Sequence, residues 1–370
     1  MIYKKMGSNN FPIPSIGFGC DIQGDPSIDY NILKKLILES YSLGSIFFDT
    51  APVYGHGDSE NVLGEAIKTF RENVIIATKV SPNYTTYQGV INSLESSLKR
   101  LGTDYVDLYQ VHWPNPDVPL SETMLAMEKL VNDGKVRYIG VSNFTNKEIK
   151  QTIQHLNNNS LASIQTEYNL FERSAEVELI PLAREQNIII IAYSPLTQGK
   201  LANGQKQLKL INNLARKYNA TPGQIILRFL VEKPQVVVIP NTTKLNRLVE
   251  NIHSTDINIE IEDLDKIDKV CRTDISSIDT KKIRVTNEYN RKVYTTLEQA
   301  KQNKMNMIPS PLELADEMKI GEFLKPIRLK KLPKKIDRAN YDLIEGRLRY
   351  WAWIIAFGWD KPIPSLVWYN

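Results

Sequence analysis

Along the first two-thirds of the chain, short apolar runs end in polar residues and alternate with segments of helical spacing. The runs are SIGFG (15–19), SIFFDT (45–50), VIIATKV (74–80), VDLYQVHW (106–113), VRYIGVSN (136–143), SIQTEYN (163–169), IIIIAYSPL (188–196) and VVVIPN (236–241). Short apolar runs bounded by turn residues suit buried strands. Between them, SETMLAMEKLVNDG (121–134) starts on a Ser cap and stops at Gly134, and the segment 221–233 opens Thr-Pro, a cap followed by a favourable first helical residue. Eight strand–helix repeats within about 250 residues predict a closed (β/α)8 TIM barrel rather than an open doubly wound sheet. The first run is followed by no glycine-rich dinucleotide turn, which also argues against the open sheet.

A parallel barrel carries its chemistry where the strands end. Asp49, Lys79 and His112 end runs two, three and four, and Ser142 and Asn143 end run five. Gln165 lies in run six, Tyr193 and Ser194 end run seven, and Asn241 ends run eight. Tyr54 follows Asp49 by five residues. A buried carboxylate without a partner is costly, so Asp49 calls for a cation, and Lys79 on the next strand supplies one. That ammonium would favour the phenolate of Tyr54 and lower its pKa, making the phenol a better proton donor. His112 could then orient a carbonyl oxygen beside the phenol while hydride arrives at carbon.

Those residues sit in text that resembles the aldo-keto reductases over 1–273: FFDTAPVYG, LGTDYVDLYQVHWP and GKVRYIGVSNF read as signatures of that family. The resemblance implies that Asp49, Tyr54, Lys79 and His112 form its catalytic tetrad, with Tyr54 as general acid. It implies NADP(H) as cofactor, with Ser142, Asn143 and Gln165 on the carboxamide and Tyr193 stacked on the nicotinamide. Ser194 and Leu196 would line the pyrophosphate path. In PNTTKLNRLVEN (240–251), Thr242, Lys244 and Arg247 would meet the 2′-phosphate and Glu250 and Asn251 the adenine; an arginine suits a phosphate through its planar fork. Trp113, Phe144 and the loop 20–28 would wall the pocket of a small carbonyl substrate.

Composition adds limits. The chain has 370 residues, 42% of them hydrophobic and 24% charged, as in globular proteins. The opening MIYKKMGSNN has no apolar signal core, and no apolar run is long enough to span a membrane, so a cytoplasmic protein is expected. Cys20 and Cys271 offer neither a disulfide framework nor metal-ligand spacing, and no metal is expected.

Charge changes sign where the run pattern stops. Residues 276–370 hold 18 Lys/Arg against 11 Asp/Glu, a net +7, whereas 1–275 carry 28 against 31, a net −3. This tail is rich in Tyr, Trp and Ile and predicts a second folded domain, 278–370. PLELADEMKIG reads as a helix, FLKPIRLKKL and NYDLIEG as strands joined by a basic loop KLPKKIDRA, GRLRYWAWIIAFGW as a helix and IPSLVWY as a last strand. GEFLKPI, YDLIEGRLRYWA, Gly358 and IPSLV resemble the ParB/sulfiredoxin-like fold, a small α+β domain. That resemblance implies a phosphate or nucleotide site at Gly346 and Arg349, with Arg347 adding charge; the sulfiredoxin cysteine is replaced by Arg347. Such a domain could bind a nucleotide or cover the mouth of the barrel. The KKLPKK cluster is expected to be a solvated loop rather than a nucleic-acid contact. The leading reading is an NADPH-dependent carbonyl reductase with an accessory domain. The alternative is a nucleotide- or DNA-binding regulator using the barrel as an NADP(H) redox sensor.

Overall fold

The computed structural model describes residues 1–21, 30–177, 179–197, 206–271, 275–286, 294–307, 309–319 and 326–368. Loop residues 22–28, expected to wall the pocket, and Gly321, expected to end a helix, lie outside them. The described residues form two compact units that divide after Cys271.

The first unit opens with an antiparallel hairpin, β1 (Tyr3–Met6) and β2 (Phe11–Pro14). Eight parallel strands follow: β3 (Phe18–Gly19), β4 (Phe47–Asp49), β5 (Ile75–Val80), β6 (Val106–Val111), β7 (Val136–Ser142), β8 (Leu161–Glu167), β9 (Ile189–Tyr193) and β10 (Val236–Val238), each paired with the next. A parallel bridge between Ile16 and Val238 joins the two edges. Gly17 N–H donates to Val238 O at 2.9 Å and Val238 N–H to Ser15 O at 2.9 Å. The curled sheet therefore meets itself, as the eight runs require.

Side chains alternate across each strand, and the two faces have different fates. Inward residues Phe47, Ile75, Ala77, Leu108, Ile189, Ile191 and Val237 fill the barrel with Met6 and Ile13 of the hairpin, all buried. Outward residues such as Ile76, Val106 and Ile190 pack against the surrounding helices. One more inward step on β4 and β5 reaches Asp49 and Lys79, so the inside changes from apolar to charged along the strand. Thr221 caps α8 (Pro222–Glu232) in a reciprocal pair with Gln224, as its place before Pro222 implies. The helix expected from Ser121 instead runs Leu120–Asn132, with Pro119 at its cap.

A second buried acid secures the lower ends of the strands. Asp107 accepts from Arg71 at 2.9 Å, from Arg137 at 2.8 Å and from the Ile76 N–H at 3.0 Å, clasping β5, β6 and β7.

The second unit holds a five-stranded sheet in the order β11 (Ile275–Ile278), β15 (Ile363–Trp368), β13 (Ile327–Ile336), β14 (Ala339–Glu345), β12 (Ile283–Arg284). Tyr350, Trp351 and Ile354 of the helix Arg347–Phe357 pack with Ile327, Leu329, Leu343 and Val367 of the sheet. The lysine-rich stretch expected as a loop is strand: KKLPKK continues β13. The chain turns only at Asp337 and Arg338, whose φ values of 50° and 69° place both in the left-handed region. Pairing is interrupted between Lys331 and Ile336, where Pro333 has no N–H to give.

Asp107 yields the prediction for this level. Asp107→Ala strands two guanidinium groups and a strand N–H, and should lower unfolding free energy in urea by about 3 kcal/mol.

Candidate active site

Asp49 and Lys79 reach the same point because β4 and β5 pair with Phe47 beside Ile75 and Asp49 beside Ala77. Lys79 Nζ donates to Asp49 Oδ1 at 2.5 Å and to the Thr50 carbonyl at 3.0 Å, and it lies 3.3 Å from Tyr54 Oη. Both charged residues are buried. Asp49 Oδ2 accepts from Gln165 Nε2 at 2.7 Å and from Gln110 Nε2 at 3.2 Å. A carboxylate with three donors, one of them cationic, is a satisfied buried group rather than an orphan.

The Tyr54 loop is held from behind. Thr50 and Ser59 hydroxyls meet at 2.8 Å, and Ser59 Oγ donates to Cys20 O at 3.0 Å. Gly55, His56 and Gly57 take φ of 58°, 54° and 99°, which folds the chain sharply into α2 (Asp58–Ile67). Inside α2, buried Glu60 accepts from Thr78 on β5 and from Arg100, both at 2.6 Å. Adjacent residues of one strand thus do separate work, Thr78 outward to the helix and Lys79 inward to the site.

The ionisation states follow from burial and charge. Burial works against the Lys79 ammonium, but Asp49 and then Tyr54 outweigh it and hold the pKa above the ordinary lysine value. Burial raises the Tyr54 phenol, and the attraction of Lys79 does not reverse this because Asp49 and Asp21 push the same way as burial. Lys79 pulls the phenol down as expected, but the net shift is upward, and the phenol keeps its proton at neutral pH. His112, with its ring edge-on to Tyr54 at a centroid distance of 6.0 Å, is depressed to about 3 by burial and by Lys79. It is a neutral imidazole.

A second group adjoins these. Asn143 has φ 62°, and its Nδ2 donates to His112 O at 3.1 Å and Ser142 Oγ at 3.0 Å. Tyr193 Oη donates to Asn143 Oδ1 at 2.9 Å. Ser142, Asn143, Gln165 and Tyr193 are thereby brought together beside the tetrad. Ser194, with φ 48°, accepts at its carbonyl from Asn169 Nδ2 at 3.3 Å, and Leu196 is half-buried against the helix layer.

The remaining expected residues lie elsewhere. Thr242 Oγ1 accepts from Lys244 N–H at 3.1 Å just before α9 (Leu245–His253). Arg247 is 59% exposed, with Glu250 at 3.7 Å; Asn251 is buried and accepts from Ser254. Asn241 spans back to the Asp21 carbonyl. Trp113 is 50% exposed. Phe144 is buried and lines a cavity of about 310 Å³ with Val111, Asn115 and Glu148. In the second unit, Gly346 (φ 91°) precedes the helix Arg347–Phe357. Arg347 is buried and donates to Thr286 O at 3.0 Å, while Arg349 donates to Pro326 O at 2.9 Å. Gln110 was not foreseen as part of the site. Alternation along β6 would have found it, because Leu108, Gln110 and His112 share the inward face.

A barrel whose strand exits converge on a lysine–carboxylate pair beside a phenol is an α/β-barrel with a buried ion pair at its mouth. The chain belongs to the aldo/keto reductase family, whose model matches residues 15–272. Methylglyoxal reductase YeaE of Escherichia coli (strain K12) is 33% identical over 263 residues, spanning 71% of this chain and 92% of that protein. Aldo-keto reductase YhdN of Bacillus subtilis (strain 168) is 44% identical over 214 residues, 54% of this chain and 64% of that one. Among solved structures, an aldo/keto reductase from Klebsiella pneumoniae in complex with NADP and acetate has a TM-score of 0.67 at 32% identity, covering 72% of this chain and 95% of that one. The family match ends at residue 272, where the second unit begins.

No group of His, Cys, Asp or Glu among the described residues could hold a metal, and no described helix is long and apolar enough to cross a membrane.

His112 yields a pH prediction. Its pKa is lower folded than unfolded, so its contribution to stability is present above pH 6.5 and is lost as pH falls toward 3, at up to about 1.4 kcal/mol per pH unit. His112→Gln should flatten the acid side of the stability–pH curve, measured by urea unfolding from pH 7 to 4.5.

Proposed function

We propose that the chain is an NADP(H)-dependent oxidoreductase that reduces an aldehyde or ketone to its alcohol, with Tyr54 as general acid. The observation that carries this is the Lys79–Tyr54 approach of 3.3 Å, with Asp49 fixing the ammonium from the other side. Family membership, a relative named as a methylglyoxal reductase and neighbours crystallised with NADP and NADPH support the same reading.

The residues fit the cofactor. Ser142, Asn143, Gln165 and Tyr193 offer amide and hydroxyl groups and an aromatic face suited to a nicotinamide carboxamide and ring. Thr242, Lys244 and Arg247 offer a hydroxyl and two exposed cations suited to a phosphate. When bound, NADPH supplies the hydride. Tyr54 gives its proton to the carbonyl oxygen as the C–O double bond becomes single, and Lys79 stabilises the phenolate left behind. Neutral His112 donates a hydrogen bond to the same oxygen, a role that its depressed pKa permits across the neutral range.

For the second unit the ParB/sulfiredoxin-like reading is also a proposal. The order hairpin, left-handed glycine, helix and final strand over 327–368 supports it. We place the protein in the cytoplasm on the same footing.

Two measurements test the proposal. NADPH oxidation against methylglyoxal and an aromatic aldehyde panel should be measurable in the wild type and fall at least about a hundredfold in kcat for Tyr54→Phe. Unaltered kcat in that variant would overturn the mechanism. Arg247→Ala should weaken NADPH binding about tenfold or more and leave NADH binding unchanged; equal losses for both would remove the phosphate role.

A further inference from the structure

Four adjacent strands place Lys79, Gln110, Gly140 and Ser163 on one rung of the barrel, each paired in register with the next. All four are buried. Gln110 sends its amide N–H to Asp49 Oδ2 at 3.2 Å, and Ser163 Oγ approaches Gln110 Oε1 at 3.5 Å. The orientation of the amide is fixed by chemistry: a carboxylate only accepts, so the nitrogen must face Asp49. Gly140 makes the space. A Cβ there would stand 2.3 Å from Ser163 Oγ and 2.9 Å from Gln110 Cγ.

We infer that Gln110 is a positioning residue for the proton donor, acting through Asp49 and enabled by the missing side chain at Gly140. This rests on the reductase reading given above. Gln110 stands beside Lys79 in the strand register and is fully buried, so it is placed to act through Asp49 and not on substrate or cofactor directly. Its part is to hold the carboxylate plane. Oδ1 is committed to Lys79, and Oδ2 is shared by Gln165 and Gln110. With Gln165 as the sole donor on Oδ2, the carboxylate can swing and draw the ammonium away from Tyr54. The charged and titratable groups that act on the phenol are Lys79, Asp49, Asp21 and His112, from three strand ends and the loop after β3. Gln110 alters the balance among them without carrying charge itself.

The same arrangement divides the labour of Gln165. With Nε2 on Asp49, only its Oε1 remains to accept from a carboxamide, so a bound nicotinamide and the proton-donor pair share one side chain. Gln110 is the donor on Asp49 that the cofactor does not compete for.

The test is Gln110→Met, which keeps volume and removes the donor. Two readouts are followed: kcat and KM for NADPH, and titration of Tyr54 by NMR of tyrosine labelled with carbon-13 at Cζ. Expected are a kcat reduced about tenfold, a KM for NADPH within about twofold of wild type, and a Tyr54 midpoint moved upward, because a positive dipole and a close ammonium are both lost. Unchanged kcat together with an unchanged Tyr54 midpoint would overturn the inference. A fall in kcat with no movement of the midpoint would also overturn it, since a merely structural role predicts that. Should Gln110→Met not fold, Gly140→Ala crowds the same amide from the next strand and serves for the same two readouts. If the wild type reduces no carbonyl, the reductase reading fails, and the Tyr54 midpoint alone still decides whether Gln110 sets the state of the phenol.

Discussion

The arrangement at the barrel mouth depends on one ion pair, Lys79 with Asp49, enclosed where neither meets water. A lone buried ammonium or carboxylate would neutralise or unfold its surroundings, so each charge exists because of the other. The pair also needs the parallel register of β4 and β5, which sets the two side chains one step apart. Once it is in place, the remaining geometry has little freedom. Thr50 lends its carbonyl to the ammonium, Gln165 and Gln110 occupy the second carboxylate oxygen, and the phenol has a single cation against which to rest.

Much of this is legible in the amino-acid sequence. Eight apolar runs that turn polar at their exits describe strands whose lower halves fill a barrel and whose upper ends gather polar side chains. What the text hid is of two kinds. Gln110 lies inside DLYQV rather than at an exit, and reading run by run passes over it; only phase along β6 shows that it shares the inward face with His112. The direction of the Tyr54 shift was hidden because it is a sum: an ammonium lowers a phenol, but the carboxylate that holds the ammonium and the loss of water both raise it. Sequence names the charges, whereas burial decides their sum.

The second unit shows a different failure of local signals. KKLPKK looks like a loop because lysines and a proline are poor strand formers. It is strand because its partner Ala339–Glu345 returns beside it, and the proline sits where pairing is already interrupted. Side chains such as Leu329, Leu343 and Trp351 gave the reliable signal, since a sheet and helix with a buried seam need them wherever the surface charge falls.

The N-terminal hairpin has a consequence for how matter moves through the molecule. Met6 and Ile13 seal the barrel from below against Phe47, Ile75 and Leu108, with none of the five more than 2% exposed. Among the described residues the interior therefore has a packed floor, and its polar doorway lies at the strand exits. Lys79 sits just inside that doorway with Tyr54 Oη as its outermost hydrogen-bond neighbour. The apolar side chains of that floor supply no group to relay a proton, so a proton bound for the ammonium arrives by way of the phenol. On the proposed reductase reading, the barrel is a cul-de-sac for protons, replenished at Tyr54 and not from below.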